Sequence, residues 1–288
     1  MNQEEIHIVP KLSKPIRLQD YGVGIFNLIP TKSALKKALK KNLLTVNNIP
    51  ATSATFIKGE EIIKLNIPVK KTFKTKLKLK LDVIYEDEYL AIIKKPAGIL
   101  VSGNSFKTIT NALPQNLKPS QLKDATLPQP VHRLDYPTSG LLLVGKTNTS
   151  IRFLNKLFET KTIEKTYYAI TIGNMQTQGI IKTPIENKIS ITHYLVENSV
   201  DSKRFEKLNL VKLQPKTGRK HQLRIHLSSL KNPILGDREY GIPSLILKGK
   251  GLYLHAYKLK FTHPFSKKII EIEDELPKKF KKIFETKQ

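Results

Sequence analysis

The chain has no cysteine among its 288 residues. That excludes a disulfide framework and any metal site built on thiolates. It also lacks a long apolar run: nothing approaches the roughly 18 uninterrupted apolar residues that a membrane-spanning helix needs. A soluble protein is expected. The opening residues, MNQEEIHIVPKLSK, begin acidic and lack the basic-then-apolar order of a secretory signal, so a cytoplasmic location is expected. Acid is scarce as well, with 24 Asp+Glu against 50 Lys+Arg and a formal net charge of +26. Such a surface repels itself unless a polyanion neutralises it, which points to nucleic acid, although a generally lysine-rich surface would give the same sum.

What is present reads as two domains, residues 1–70 and 71–288. Within the first, Ala34, Leu35, Ala38 and Leu39 mark one face of a short helix and lysines fill the other, with Asn42 as its stop. A strand over 43–46, a tight turn at Asn47-Asn48 and a second strand over 61–67 complete a helix-plus-hairpin module. In KKTFKTKLKLKL, residues 70–81, Lys76, Lys78 and Lys80 alternate with Leu77, Leu79 and Leu81 at the period of a strand with one buried face. Those lysines suit phosphate contact or the discouragement of edge-to-edge pairing equally well.

Further along, residues 81–85, 89–94, 140–146, 165–173, 208–213 and 252–261 read as strands. Residues 149–158 read as a helix with Ile151, Leu154 and Phe158 inward. Strands and helices do not alternate cleanly, so an α+β domain with a mainly antiparallel mixed sheet is expected, not a doubly wound one. The polar stretch 113–130, with its four prolines, reads as a functional or mobile loop. Leu276, Phe280, Ile283 and Phe284 form an apolar stripe that suits a docked terminal helix better than a basic arm for RNA.

The sharpest segment is PVHRLDYPTSGLLLVGKT, residues 130–147, where a polar loop carrying Asp135 leads into an apolar strand. Taken alone, an acid followed by Pro137 and Gly140 reads as a turn former. Leu223, Leu227 and Leu230 fall at helical spacing, so a helix over 221–230 is expected, with His221, Arg224 and Ser228 sharing a neighbouring face. His132, His221 and His226 lack the four-residue spacing of a helical metal pair, and no acidic cluster joins them; no metal is expected.

HRLDYPTSGLLL resembles the signature of the RluA-type pseudouridine synthases, and four further blocks agree in order: KKPAGILV, EKTYYAITIG, LQPKTGRKHQLRIHL with NPILGDREYG, and LHAYKLKFTHP. The helix-plus-hairpin module resembles the alpha-L RNA-binding fold, with RLQDYGVGIFNLIP as a loose version of its usual opening. The resemblance implies an enzyme that isomerises uridines within structured RNA, ribosomal RNA before transfer RNA. It implies Asp135 as nucleophile, Tyr167 beneath the target base, and Arg224 as the cation pairing with the carboxylate. Arg133 would take the place of the everted base, and His132, Lys95, Arg219 and His221 would contact RNA.

The chemistry suits those residue types. The bond from ribose to a base nitrogen is broken and remade to carbon 5 of the same ring, with no net redox change, so no cofactor or metal is expected. A monomer working on RNA is expected. A carboxylate attacks well when ionised and nearly dry, and a guanidinium beside it favours the charged form against the cost of desolvation. The nucleotide must leave its stack, and something planar must hold the gap. The missing cysteine argues against the enzymes that methylate the same carbon through a thiolate.

Overall fold

A computed structural model of the chain describes residues 3–67, 77–247 and 249–285. The chain divides into two units, Met1–Lys74 and Thr75–Gln288.

In the first unit the order is β1 (Gln3–Ile8), β2 (Ile16–Arg17), α1 (Leu18–Tyr21), α2 (Lys32–Lys40), β3 (Leu44–Val46), β4 (Ile49–Pro50), β5 (Phe56–Ile57) and β6 (Ile62–Ile67). The Thr31 hydroxyl accepts from the Ala34 amide and opens α2, an N-cap that satisfies one of the orphan donors of the first turn. Leu35, Ala38 and Leu39 turn inward onto Leu44, Ile57, Ile63 and Leu65, leaving Lys36, Lys37, Lys40 and Lys41 in solvent. Asn42 ends the helix at φ 53°, and Asn47 (φ 50°) and Asn48 (φ 66°) make the turn between β3 and β4. Asparagine tolerates that left-handed conformation because its short amide bonds locally. The sheet runs β1-β6-β3-β4, so a strand that periodicity did not reveal, β1, takes one edge through its pairing with β6.

The second unit opens with β7 (Asp82–Glu86), β8 (Leu90–Lys95), α3 (Ile109–Ala112), β9 (Ala125–Pro130), β10 (Ser139–Thr147), α4 (Asn148–Glu159) and β11 (Glu164–Ile172). It continues with β12 (Gln178–Ile181), β13 (Thr192–Ser202), β14 (Glu206–Pro215), α5 (Gln222–Ser229), β15 (Leu254–Thr262), β16 (Ile269–Glu273) and α6 (Lys278–Phe284). One ten-stranded sheet runs β12-β13-β14-β11-β15-β10-β8-β7, with β16 on β15 and β9 on β10. Among the described residues, its one parallel strand pairing is the short β10–β15 bridge at Ser139↔His255 and Gly140↔Ala256. The domain is therefore α+β with a mainly antiparallel sheet.

The apolar run in β10 is continuous because both faces of that strand are covered. Leu142 and Val144 pack with Ile93, Ile109 and Leu134, while Leu141 and Leu143 pack on the opposite face with Leu90, Leu154 and Phe261. Gly140 is required at the bridge: it holds φ 114°, and a Cβ there would lie 2.2 Å from the Ala256 carbonyl oxygen. Phe280 of α6 is buried beside Tyr253, which docks the terminal helix as its stripe predicts.

Two expectations are corrected. Of the strand expected over 70–81, residues 70–76 lie outside the described residues, and 77–81 join no ladder. Leu77 and Leu81 are buried as their alternation predicts, but the neighbouring backbone is satisfied by side-chain amides. Gln115 donates to the Leu77 carbonyl; Asn116 donates to that of Leu79 at 2.8 Å and accepts from the Leu81 amide at 2.9 Å. The stretch 113–130 is likewise no free loop. It holds a 3-10 turn, Leu113–Gln115, and ends in β9, while Glu86 and Glu88 accept from the amides of Lys118 and Gln121.

Candidate active site

Asp135 lies on the segment between β9 and β10, just before the parallel bridge. Its loop is held through main-chain atoms. Lys95, at the end of β8, is 1% exposed, and its Nζ donates to the carbonyls of Pro96 (3.0 Å), Tyr136 (3.2 Å) and Thr138 (2.6 Å). Gly98 N–H donates to the same Tyr136 carbonyl, and Thr138 N–H closes a turn onto that of Asp135. Three hydrogens meet three acceptors, which is what makes a buried ammonium tolerable. Burial nonetheless lowers Lys95 to about 8, with the charge of Asp135 pulling the other way. The expectation that Lys95 contacts RNA is corrected: its ammonium is turned inward and holds the loop from behind.

The carboxylate faces a cavity of about 410 Å³ whose walls include Arg133, Leu134, Tyr167, Arg219, His221 and Arg224. That volume falls in the range of roughly 300–1,000 Å³ usual for small-molecule sites. Tyr167 projects from β11, and burial together with the charge of Asp135 pushes its phenol well above the ordinary range, so the hydroxyl stays protonated. Tyr168 faces away, as the two-residue period of a strand requires, and donates to Glu197 at 2.8 Å.

Arg224, on α5 and 5% exposed, is held in a two-toothed grip. Its Nε and Nη2 each lie 2.7 Å from the Asp237 carboxylate, Nη2 also reaches Glu239 at 3.1 Å, and the guanidinium stacks 4.8 Å over the Tyr240 ring. Its Nη1 stands 3.7 Å from Asp135 Oδ2. The pairing with Asp135 expected of Arg224 is thus a longer ion pair, and Asp237 is the hydrogen-bonded partner. Burial opposes the charge on both, yet the mutual bonds win: Arg224 is raised and Asp237 lowered from their ordinary values.

His221 caps α5 in the left-handed region, φ 55°, with Nε2 3.7 Å from Asp135 Oδ1 and Nδ1 2.9 Å from the Tyr240 hydroxyl. Buried Gln222 keeps this corner still: its side-chain oxygen accepts from the Thr217 hydroxyl and the Arg219 amide, and its nitrogen donates to Ile191 and Thr192. The Arg219 side chain donates to the Ile189 carbonyl at 3.2 Å, at the outer wall of the cavity. Arg133 is exposed and makes no hydrogen bond or ion pair among the described residues.

His132 also lines the cavity. Its Nε2 accepts from the Leu143 amide at 2.9 Å and its ring stacks on Phe158 at 4.7 Å. Burial, reinforced by the charge of Lys165, lowers it to about 3, so it is an uncharged part of the cavity wall. His226 is structural, bonded to Thr192 and to the Thr183 carbonyl. Sequence reasoning passed over Asp237, Glu239 and Tyr240, although GDREYG had been singled out as a block. The one available signal was the placing of two acids and a tyrosine shortly after an arginine-bearing helix.

Comparison with known proteins identifies relatives of the chain. Residues 89–229 match the family described as RNA pseudouridylate synthase. A protein of Aquifex aeolicus described as an uncharacterised RNA pseudouridine synthase is 34% identical over 285 residues, covering 88% of each chain. The ribosomal large subunit pseudouridine synthase C of Rickettsia felis is 34% identical over 292 residues, covering 91% of this chain and 93% of its own. The solved structure of human RNA pseudouridylate synthase domain containing 4 superposes with a TM-score of 0.56 at 27% identity, over 69% of this chain and 90% of that one.

Proposed function

The chain belongs to the RNA pseudouridylate synthase family, an isomerase family acting on uridine in RNA, and from that premise we propose that it modifies chosen uridines of large-subunit ribosomal RNA with Asp135 as nucleophile. The observation that carries this reading is a carboxylate facing a cavity between a buried guanidinium and a protonated tyrosine. The ribosomal choice rests on the names of relatives such as the Rickettsia felis protein. A cytoplasmic site of action, where ribosomes are assembled, goes with it.

In this reading the uridine swings out of its stack into the cavity. Asp135 attacks the anomeric carbon, C1′, and the base leaves through N1. The freed uracil turns, carbon 5 bonds to C1′, and the carboxylate is displaced. Leu134 and Tyr167 enclose the ring so that water does not capture the sugar first. Arg224, already charge-balanced by Asp237, steadies the carboxylate without being spent on it. In the first unit, Lys36, Lys37, Lys40 and Lys41 offer phosphate contacts, which position an RNA but do not choose its base.

The test is to map pseudouridines across all RNAs in a strain lacking the gene. Loss of specific positions from large-subunit ribosomal RNA is expected; loss confined to transfer RNA would overturn the substrate assignment. Arg133, exposed and free of partners among the described residues, is proposed to fill the gap left by the everted base. Arg133→Ala should bind RNA within a few-fold of wild type, since one charge among many is lost, while product formation falls by on the order of 100-fold. Gel-shift titration and a single-turnover assay separate the two, and normal turnover would refute the placement.

A further inference from the structure

Isomerising uridine removes the hydrogen on carbon 5, and something must take it. When that proton departs, carbon 5 is bonded to the sugar carbon that Asp135 faced. The base must therefore stand beside Asp135. Of the histidines lining the cavity, His132 has its Nε2 lone pair taken by the Leu143 amide, so the groups beside Asp135 with a lone pair to offer are Asp135 itself, Tyr167 and His221. The phenol of Tyr167 is held protonated by burial and by the neighbouring carboxylate, which makes phenolate scarce. Asp135, once protonated, would need a neighbour to clear it before the next attack.

We propose that His221 removes the carbon 5 proton through Nε2, an inference that rests on the reading of Asp135 as the carboxylate facing the sugar. The surroundings fix the tautomer this requires. Burial first, and the neighbouring Glu239 carboxylate after it, hold the Tyr240 phenol up, so its oxygen keeps its hydrogen. Glu239 Oε1, a carboxylate oxygen that can only accept, stands 3.4 Å from His221 Nδ1, and the Tyr240 oxygen, 2.9 Å from the same nitrogen, has lone pairs free to accept as well. Nδ1 therefore carries the hydrogen, and the Nε2 lone pair faces the cavity, 3.7 Å from Asp135 Oδ1. The left-handed cap and the bonds around Gln222 hold the ring in that direction.

The step balances. The C5–H bond breaks and its electron pair restores the C5=C6 double bond. The C6=N1 pair moves onto N1, which takes a proton from solvent, and the carbon 5 proton rests on Nε2. The imidazolium so formed lies between the carboxylates of Asp135 and Glu239. Its side chain is 14% exposed against 54% for Glu239, so the surplus proton leaves outward along Nδ1–H to Glu239 and water.

His221→Gln is the test, read on RNA carrying uridine or 5-deuterouridine at the target. Turnover should fall by about 100-fold, within the range for a lost general base, with KM little changed. Its deuterium effect should exceed that of wild type, because proton removal becomes the slow step. On RNA carrying 5-fluorouridine, which has no carbon 5 hydrogen to give, the variant should form the carbon-linked adduct as fast as wild type. An unchanged deuterium effect, or equal slowing on the fluorinated RNA, would assign His221 a structural role and overturn the proposal. Asp135→Asn assayed in parallel keeps the two readings apart: product from that variant defeats the nucleophile, whereas the isotope comparison reports on His221 alone.

Discussion

Asp135→Asn is expected to abolish product, lowering turnover by on the order of 10⁴-fold or more, as removal of an essential nucleophile does elsewhere. The substitution keeps the shape of the loop, because the loop is held by Lys95 through carbonyl oxygens and not by the carboxylate. Nor does it strand a charge. Arg224 retains both 2.7 Å bonds to Asp237, and its contact with Asp135 is only 3.7 Å. Folding and RNA binding should therefore be close to wild type, with stability within about 1 kcal/mol. Release of tritium from carbon 5 of labelled RNA gives the answer directly. Release at the wild-type rate would show that this carboxylate is not the reacting group.

Asp237→Ala should behave in the opposite way, damaging the fold and the reaction together. Removing one partner of a buried, doubly bonded ion pair leaves an uncompensated charge and typically costs about 3–5 kcal/mol. Glu239, half exposed and 3.1 Å from Nη2, offers Arg224 only partial relief. Thermal and urea unfolding should register the loss, and a drop below about 1 kcal/mol would mean that the pair is dispensable. The pH dependence follows from the sign of the shift. Burial by itself would raise Asp237, but the Arg224 bonds and the amides of Tyr240 and Glu239 bring it below its ordinary value. Its contribution to stability is thus full above the unfolded carboxylate pKa, about 3.9, and fades as pH falls through the lower folded value. Asp237→Asn should flatten that acid limb, and an unaltered acid limb would mean that other carboxylates govern it.

Much of this was legible in the sequence for identifiable reasons. The strands of the central sheet announce themselves where apolar side chains recur, as in the LLLV run of β10, which two cores cover. HRLDYPTSG and GRKHQLRIH lie far apart in the chain, and their side chains line one cavity because β10 and β15 meet beside Gly140. What could not be read is equally physical. β13 carries ENSVDS at its outer end, residues of low strand propensity that are paired by β14 and not by any preference of their own. The segment 77–81 alternates like a strand, yet amide side chains and not a neighbouring strand complete its bonding. Asp237 escaped notice because nothing in GDREYG says which arginine its acid will hold. Lys95 reads as an RNA contact because a sequence shows a charge without showing which way it points.

The hold that Lys95 exerts falls on main-chain oxygens alone. A clasp of this kind is indifferent to the side chains it passes. The Tyr136 ring, 55% exposed and next in the chain to Asp135, is, like the Arg133 side chain, left in solvent by that clasp. Exchanging it should change the surface beside the cavity while Asp135 keeps its station, so that on the proposed reading a new target would require no new chemistry.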